Sequence, residues 1–244
     1  MDHGTPDWGG SAPRYRTYRL SDHGELAARL GSIVTYDRRG EILWMNDFAQ
    51  GGQPYVCSGI GVGEGFYLSC GLALSGGVSL VLQTGNAPAD YERVYCYSYC
   101  PFEGGIGEEI WFHPEGNLSY LTVRLFLYYL TATHDYRLKY DDMTGKLSIW
   151  DAMGAWVEIG DSGVLGAMLG GYVPIKLVID PTAQHYARVM FMDRVYTPVG
   201  YGPQIVGGVF TPQLMSEVRV VAELAGGLEV AVDNWILTQN EPVT

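Results

Sequence analysis

Charge is what this chain has least of. Charged residues fill 17% of its 244 positions, against roughly 25% in an ordinary globular protein. Lysine is scarcer still, with three lysines to twelve arginines. Interfaces favour Tyr and Arg and disfavour Lys and Glu. A surface made this way points to coverage by partners. The net charge of −12 argues against non-specific binding to DNA or RNA, which needs a basic face to displace counterions. Also missing is any run of the roughly 18 apolar residues that a membrane-spanning helix requires. The longest apolar stretch, "LTVRLFLYYL" at 121–130, is broken by Arg124 and reads as a strand. The opening "MDHGTPDWGG" has no basic-then-apolar leader, so synthesis in a cytoplasm is expected. Four cysteines, Cys57, Cys70, Cys96 and Cys100, are too few for a disulfide framework in a chain of this length.

What is abundant is glycine and tyrosine, 33 and 18 residues, with 47% of the chain hydrophobic. Residues 1–30 are rich in turn formers and charge and read as an extended N-terminal arm, with at most a helical turn or two in "ELAARL" at 25–30. Residues 1–40 hold six arginines against five acids, a balance of +1, so the remainder carries −13. A mildly basic arm on an acidic body can dock on a neighbouring copy. Arg14, Tyr15, Arg16, Tyr18 and Arg19 are the candidate assembly contacts.

From residue 31 the hydrophobic period is two. "SIVTYD" (32–37), "EILWMNDF" (41–48), "FYLSCGLAL" (66–74), "VSLVLQT" (78–84) and "ERVYCYSY" (92–99) alternate as strands do. So do "EEIWFH" (108–113), "LSYLTVRLFLYYLTA" (118–132), "HDYRLKYD" (134–141), "GKLSIWD" (145–151) and "AWVEIG" (155–160). "VPIKLVID" (173–180), "HYARVMFM" (185–192), "RVYTPV" (194–199), "SEVRVVAEL" (216–224) and "EVAVDNWILTQNEP" (229–242) complete the set. "GIGVGEG" (59–65) has no helix after it to hold a phosphate and reads as a glycine-rich turn or extended segment. Turns at Thr144-Gly145, at "DAMGAW" (151–156) and at Asp180-Pro181 join the strands tightly. No helix–strand alternation occurs. The reading is all-β: an antiparallel β-sandwich over 31–244 as one domain, preceded by the arm at 1–30. In the last strand, without a bulge, Val230, Val232, Asn234 and Ile236 would share one face, and Ala231, Asp233, Trp235 and Leu237 the other.

"YRLKYDDMTGKLSIWDAMGAWVEIG", "IKLVIDPTAQHYARVMFMDRVYTPV" and "LEVAVDNWILTQNEP" together resemble the ending of concanavalin A-like, laminin-G-like jelly rolls. The resemblance covers roughly residues 118–242 and is strongest to bacterial and phage-associated members of that superfamily. It implies a jelly roll, a fold that hosts lectins, glycanases and structural modules alike. The Glu-x-Asp-x-Glu strand of its glucanase branch, which sets acid and nucleophile on one sheet face, does not occur here.

Aromatic side chains alternating along a sheet face can stack on sugar rings. Tyr136, Tyr140, Trp150 and Trp156 are the candidates for that role, with core and cross-strand packing as the competing use of the same residues. Asp141, Asp142 and Asp180, with Asp151, are candidate calcium ligands by analogy with lectin relatives; no other cofactor is suggested. Cys96 and Cys100 would lie about 13 Å apart on one straight strand, too far to bridge unless the chain bends near Pro101. Free thiols are the expected state, with a disulfide or a metal as alternatives. The histidines occur singly and read as surface or turn residues.

Two functional expectations follow. The first is a non-enzymatic assembly protein that self-associates or binds a capsid or tail protein, a virion surface component by this reading. The second is a carbohydrate-binding module, with or without weak hydrolysis.

Overall fold

The computed structural model describes residues 39–48, 55–74, 77–99, 104–113, 118–163, 171–222 and 227–243. Sixteen strands and no helix occur among them, in two eight-stranded antiparallel sheets. Sheet A runs β13 (Arg194–Tyr196), β12 (His185–Phe191), β11 (Val173–Asp180), β6 (Gly105–His113), β16 (Glu229–Glu241), β4 (Ser79–Gln83) and β3 (Gly65–Ser69). In the same sheet, β1 (Glu41–Asn46) pairs with the second half of β16. Sheet B runs β10 (Trp156–Asp161), β9 (Lys146–Trp150), β8 (Ala132–Asp141), β7 (Leu118–Tyr128), β15 (Gln213–Ala222), β5 (Tyr91–Ser98) and β2 (Tyr55–Ile60). A short β14 (Gln204–Gly207) pairs with the start of β8. The chain is an antiparallel β-sandwich, as the period of two requires.

Alternation decides which side chains meet between the sheets. Along β7, Leu121, Val123, Leu125 and Leu127 are buried; along β8, His134, Tyr136, Leu138 and Tyr140. β15 adds Leu214, Val218 and Val220. Sheet A answers with Ile106, Ile110, Phe112, Ile175, Leu177, Ile179, Val230 and Val232. Tyr140 stacks on Phe191 of the opposite sheet with ring centroids 4.8 Å apart. Each such aliphatic or aromatic side chain contributes about 1.5–3 kcal/mol by leaving water.

Several boundaries differ from the sequence reading. The run 118–132 is two strands: Tyr129 N–H donates to Ala132 O at 2.8 Å, closing a turn around exposed Leu130. The glycine-rich stretch before residue 65 contains β2, and β14 was not anticipated from the pattern. The expected returns do occur. Gly145 and Gly154 take φ of 70° and 75°, which favours glycine. Asp180 Oδ1 accepts from the amides of Thr182 and Ala183 at 2.9 Å each. The strand expected at 32–37, the arm at 1–30 with its contacts Arg14, Tyr15, Arg16, Tyr18 and Arg19, and Cys100 lie outside the described residues. Cys96 is a buried free thiol.

The last strand departs most from simple alternation. Asn234 takes a positive φ of 45°, and its pairing with β6 slips between Asp233 and Ile236. This bulge inverts the expected faces. Val230, Val232, Trp235 and Leu237 point inward, while Asp233 and Ile236 pair with the outward residues Trp111 and Glu109. Trp235, fully buried, meets Trp44 edge-on at 5.0 Å. Its indole N–H donates to Glu108 Oε1 at 3.1 Å and to Ser216 Oγ at 2.9 Å. The Ser216 hydroxyl donates to the same Glu108 oxygen at 2.5 Å. Sheet A gives Trp235 and Glu108 and sheet B gives Ser216, so this trio ties the sheets through an otherwise apolar interior.

A carboxyl so placed is biased toward its neutral form. Burial pushes Glu108 well above the ordinary carboxylate range, and the bonds from Ser216 and Trp235 only partly offset it. Its unfolded-state value is about 4.3. The stability this group contributes is therefore complete at lower pH and declines as pH rises toward the folded-state value. Glu108→Gln, which cannot ionise, is expected to match the wild type near pH 4.5 and to melt several degrees higher at pH 8, on a scale of roughly 2–4 °C per kcal/mol. Thermal melts of both proteins across that range check this. A variant that is less stable at pH 8 overturns it.

Candidate functional site

The outward residues of sheet B form a surface whose layout follows from register alone. Val56, Tyr95, Glu217, Arg124 and Arg137 stand opposite one another in turn across β2, β5, β15, β7 and β8. Trp150 and Trp156 are paired across β9 and β10 and continue the row. A neighbouring row holds Ser58, Arg93, Arg219, Thr122, Lys139 and Ser148. Tyr97, Met215, Phe126 and Asp135 make a third.

Two carboxylates sit at the base of this surface and the arginines lie over them. Glu217 receives Arg93 at 2.9 Å and Arg219 at 3.2 Å, with Arg124 at 3.8 Å. Asp135 receives Arg124 through two bonds of 2.7 Å and Arg137 at 2.5 Å. The acid side chains are 1% and 4% exposed, the arginine side chains 15–29%. For Asp135, burial alone would raise the pKa. The hydrogen bonds and charges of Arg137 and Arg124 outweigh it and hold this carboxyl below its ordinary value.

Each cation also stacks on a ring. Arg93 lies 5.3 Å from the Tyr95 centroid, Arg124 4.5 Å from Phe126, Arg137 4.7 Å from Trp150 and Arg219 4.5 Å from Tyr91. Lys139 Nζ stands 5.0 Å from Trp156 and 5.6 Å from Tyr120. Trp150 and Trp156 meet at 5.0 Å with planes 69° apart, and both remain half-buried. The Trp150 indole N–H donates to Gln204 Oε1 of β14 at 3.0 Å.

The tryptophan end is anchored from beneath by the other sheet. Tyr186 on β12 reaches through the core. Its hydroxyl accepts from Arg137 N–H at 2.9 Å and donates to Trp150 O at 2.6 Å. The ladder of β8 and β9 stops at Leu138 and Ile149, so the hydroxyl stands where the next rung would be. It fixes the backbone of the two residues whose side chains stack outside.

Of the four aromatic candidates, only Trp150 and Trp156 reach this surface. Tyr136 and Tyr140 are corrected: both are 0% exposed, because even-numbered residues of β8 face the core, and no sugar can reach them. The Tyr140 hydroxyl instead donates to Asp142 at 2.6 Å. The calcium candidates are corrected likewise. Asp180 caps its own turn, Asp141 Oδ1 accepts from Thr144 N–H, and Asp142 binds Tyr140. No group of three metal-ligating side chains forms among the described residues. Sequence reading missed Arg93, Arg124, Arg137, Arg219 and Lys139. A signal existed: each of those arginines has an apolar or aromatic neighbour within a strand, as in "VRLFL", "YRLKY" and "VRV". An arginine there must face away from the core.

A cavity of about 590 Å³ opens elsewhere, at the β12 edge of sheet A, lined by Arg39, His185, Arg188, Thr197 and Pro242 among others. Its most buried cation is already engaged: Arg188 binds Glu241 Oε2 at 2.5 Å and the Pro242 carbonyl. The sheet B surface is the better candidate because it presents several half-buried, pre-positioned rings and cations together.

No family model matches the chain, and no curated protein matches it. Solved structures do share the fold. One is a galectin-like protein from Bacillus subtilis, at TM-score 0.55 and 13% identity, over 83% of this chain and 97% of that one. A carbohydrate esterase from the Shiga toxin-encoding bacteriophage phi24B aligns at 0.54 and 13%, over 82% and 99%. A sialidase aligns at 0.52 and 12%, over 82% of this chain, which spans about a fifth (19%) of that enzyme. These likenesses show that the chain shares a β-sandwich fold with them. They include enzymes and proteins without an assigned reaction, and so define fold rather than activity.

The Tyr186 anchor is testable. Tyr186→Phe removes the hydroxyl and leaves Arg137 N–H and Trp150 O facing each other across the gap. A loss of about 1–3 kcal/mol is expected from unpartnered buried groups, with altered tryptophan fluorescence. Denaturant unfolding followed by fluorescence checks it, and unchanged stability overturns the anchoring role.

Proposed function

We propose that the protein is a carbohydrate-binding β-sandwich and that the outer face of sheet B, centred on Trp150 and Trp156, holds the glycan. The observation that carries this reading is the tryptophan pair itself: half-buried, edge to face with planes 69° apart, and held by Arg137, Lys139, Gln204 and Tyr186. Rings fixed before binding stack on the apolar face of a sugar without further ordering cost. The reading is one of binding rather than hydrolysis. A glycosidase pair needs one carboxyl raised to act as an acid. Asp135, beneath this face, is held below its ordinary value by Arg137 and Arg124, and Glu92, which burial raises to about 7, lies on the buried side of β5. Affinity electrophoresis against a panel of polysaccharides tests it. Trp150→Ala and Trp156→Ala are each expected to weaken retention at least tenfold with the fold intact by circular dichroism. Retention unaffected by either substitution overturns this site.

We propose as a second reading a self-associating virion decoration or tail component made in a cytoplasm; a different observation supports its self-association. β2 and β3, the consecutive end strands of sheets B and A among the described residues, carry exposed Val56, Ile60, Phe66, Tyr67 and Leu68, with exposed Val62 in the turn between them. End strands usually carry charge that discourages pairing with another chain, and these carry apolar residues instead. Phe66→Lys with Leu68→Lys is expected to shift the sedimentation coefficient from oligomer to monomer. A wild-type protein that is already a monodisperse monomer at high concentration sinks this reading.

A further inference from the structure

The charge on the sheet B face is arranged in depth, and the arrangement says what kind of glycan it suits. Across its four central strands, β5, β15, β7 and β8, the outward charges are Arg93, Arg219, Arg124, Arg137 and Lys139 against Glu217, Asp135 and Asp141. Five cations against three carboxylates leave +2, on a chain whose net charge is −12. The two central carboxylates are also nearly inaccessible, while the guanidiniums above them keep up to 29% of their side-chain surface. A ligand approaching this face meets cations and rings, and the acids act from below to fix the guanidiniums in place.

Each central acid is shared by several arginines, so no arginine spends all its donors on it. Arg137 engages Asp135 through Nε and one terminal nitrogen. Arg93 reaches Glu217 through one terminal nitrogen and uses Nε on Ser58 Oγ at 2.9 Å. A planar guanidinium has five donors in a fixed fork, a geometry that pairs with planar or tetrahedral oxyanions. Stacking on a ring holds that fork in a defined plane at small further entropic cost.

We infer that this face takes an acidic polysaccharide, with sugar rings on Trp150 and Trp156 and carboxylate or sulfate groups on Arg137, Lys139 and the arginines beyond. The inference rests on the glycan-binding reading above and narrows it to a ligand class. Register supplies the direction: the tryptophans and Arg137, Arg124 and Tyr95 lie in one row across the strands, so an extended chain lies across the sheet. Neighbouring strands stand about 4.8 Å apart, which places charge at intervals that a polymer of acidic sugars can match.

The test compares four probes by affinity electrophoresis: polygalacturonate, the same polymer with its carboxyls chemically reduced, chondroitin sulfate, and poly-glutamate. The expected result is retention by polygalacturonate, chondroitin sulfate or both at 0.1 M salt, at least tenfold weaker for the reduced polymer. That retention should decline steeply toward 0.5 M salt, where the Debye length falls to about 4 Å. Arg137→Gln and Lys139→Gln, with melting temperatures measured in parallel, should each lower retention several-fold and flatten its salt dependence. A dependence on carboxylate alone or on sulfate alone identifies which oxyanion is used. Measurable and equal retention of the native and reduced polymers, with chondroitin sulfate held no more strongly, overturns the inference and leaves glycan binding standing. Retention by poly-glutamate as strong as by the polysaccharides, unaffected by Trp150→Ala, overturns both in favour of simple ion exchange. Retention by none of the four, with a neutral glucan retained, again rejects the acidic ligand alone.

Discussion

One backbone conformation, the left-handed turn at Asn234, fixes the centre of the molecule. β16 lies between β6 on one side and β4 and β1 on the other, so its side chains decide what fills the middle of sheet A. A strand continuing its alternation from Val232 would aim Asn234 at the core and turn Trp235 and Leu237 to the outside. The extra residue reverses this. Trp235 enters the interior, its N–H meets Glu108 and Ser216, and a buried acid acquires the partners that make its burial tolerable. Asn suits the position because it adopts positive φ at low cost, and Asp233 Oδ1 accepts the Asn234 N–H at 2.7 Å.

A largely apolar interior has a consequence for the outer surface. On sheet B every inward position of β7, β8 and β15 is taken by a residue that packs, so the intervening arginines, acids and tyrosines have only the outer face. Register lines them up in rows, and burial of the two acids beneath the guanidiniums turns a mixed set of charges into a layered one.

Sheet A meets the same problem differently. Lys176 and Glu241, both fully buried at the side chain, pair at 2.6 Å on its outward side, with Arg188 on the other oxygen of Glu241 and Thr238 donating at 2.6 Å. Here the charges are closed on themselves, whereas sheet B leaves its guanidiniums accessible. The two outer faces of one sandwich are therefore unlike: one compensated and covered, one cationic, aromatic and open.

The sequence by itself determined the class of fold. Period-two patterning, such as that of "YRLKYD" and "VPIKLVID", with turn formers at Gly145, Gly154 and Asp180, leaves little besides an antiparallel sandwich, because each strand has one face that must leave water. It also marked Trp150 and Trp156, although nothing in the pattern separated them from Tyr136 and Tyr140, which are just as aromatic and lie inside. Only the tertiary structure decided that, since the face a residue occupies depends on the register of its neighbours. The same holds for Asn234, whose φ is set by a bulge against β6 that no local signal announces. It holds above all for Arg93, Arg124, Arg137 and Arg219, scattered over more than a hundred residues. Four separate strands become one cationic layer only when pairing brings them side by side.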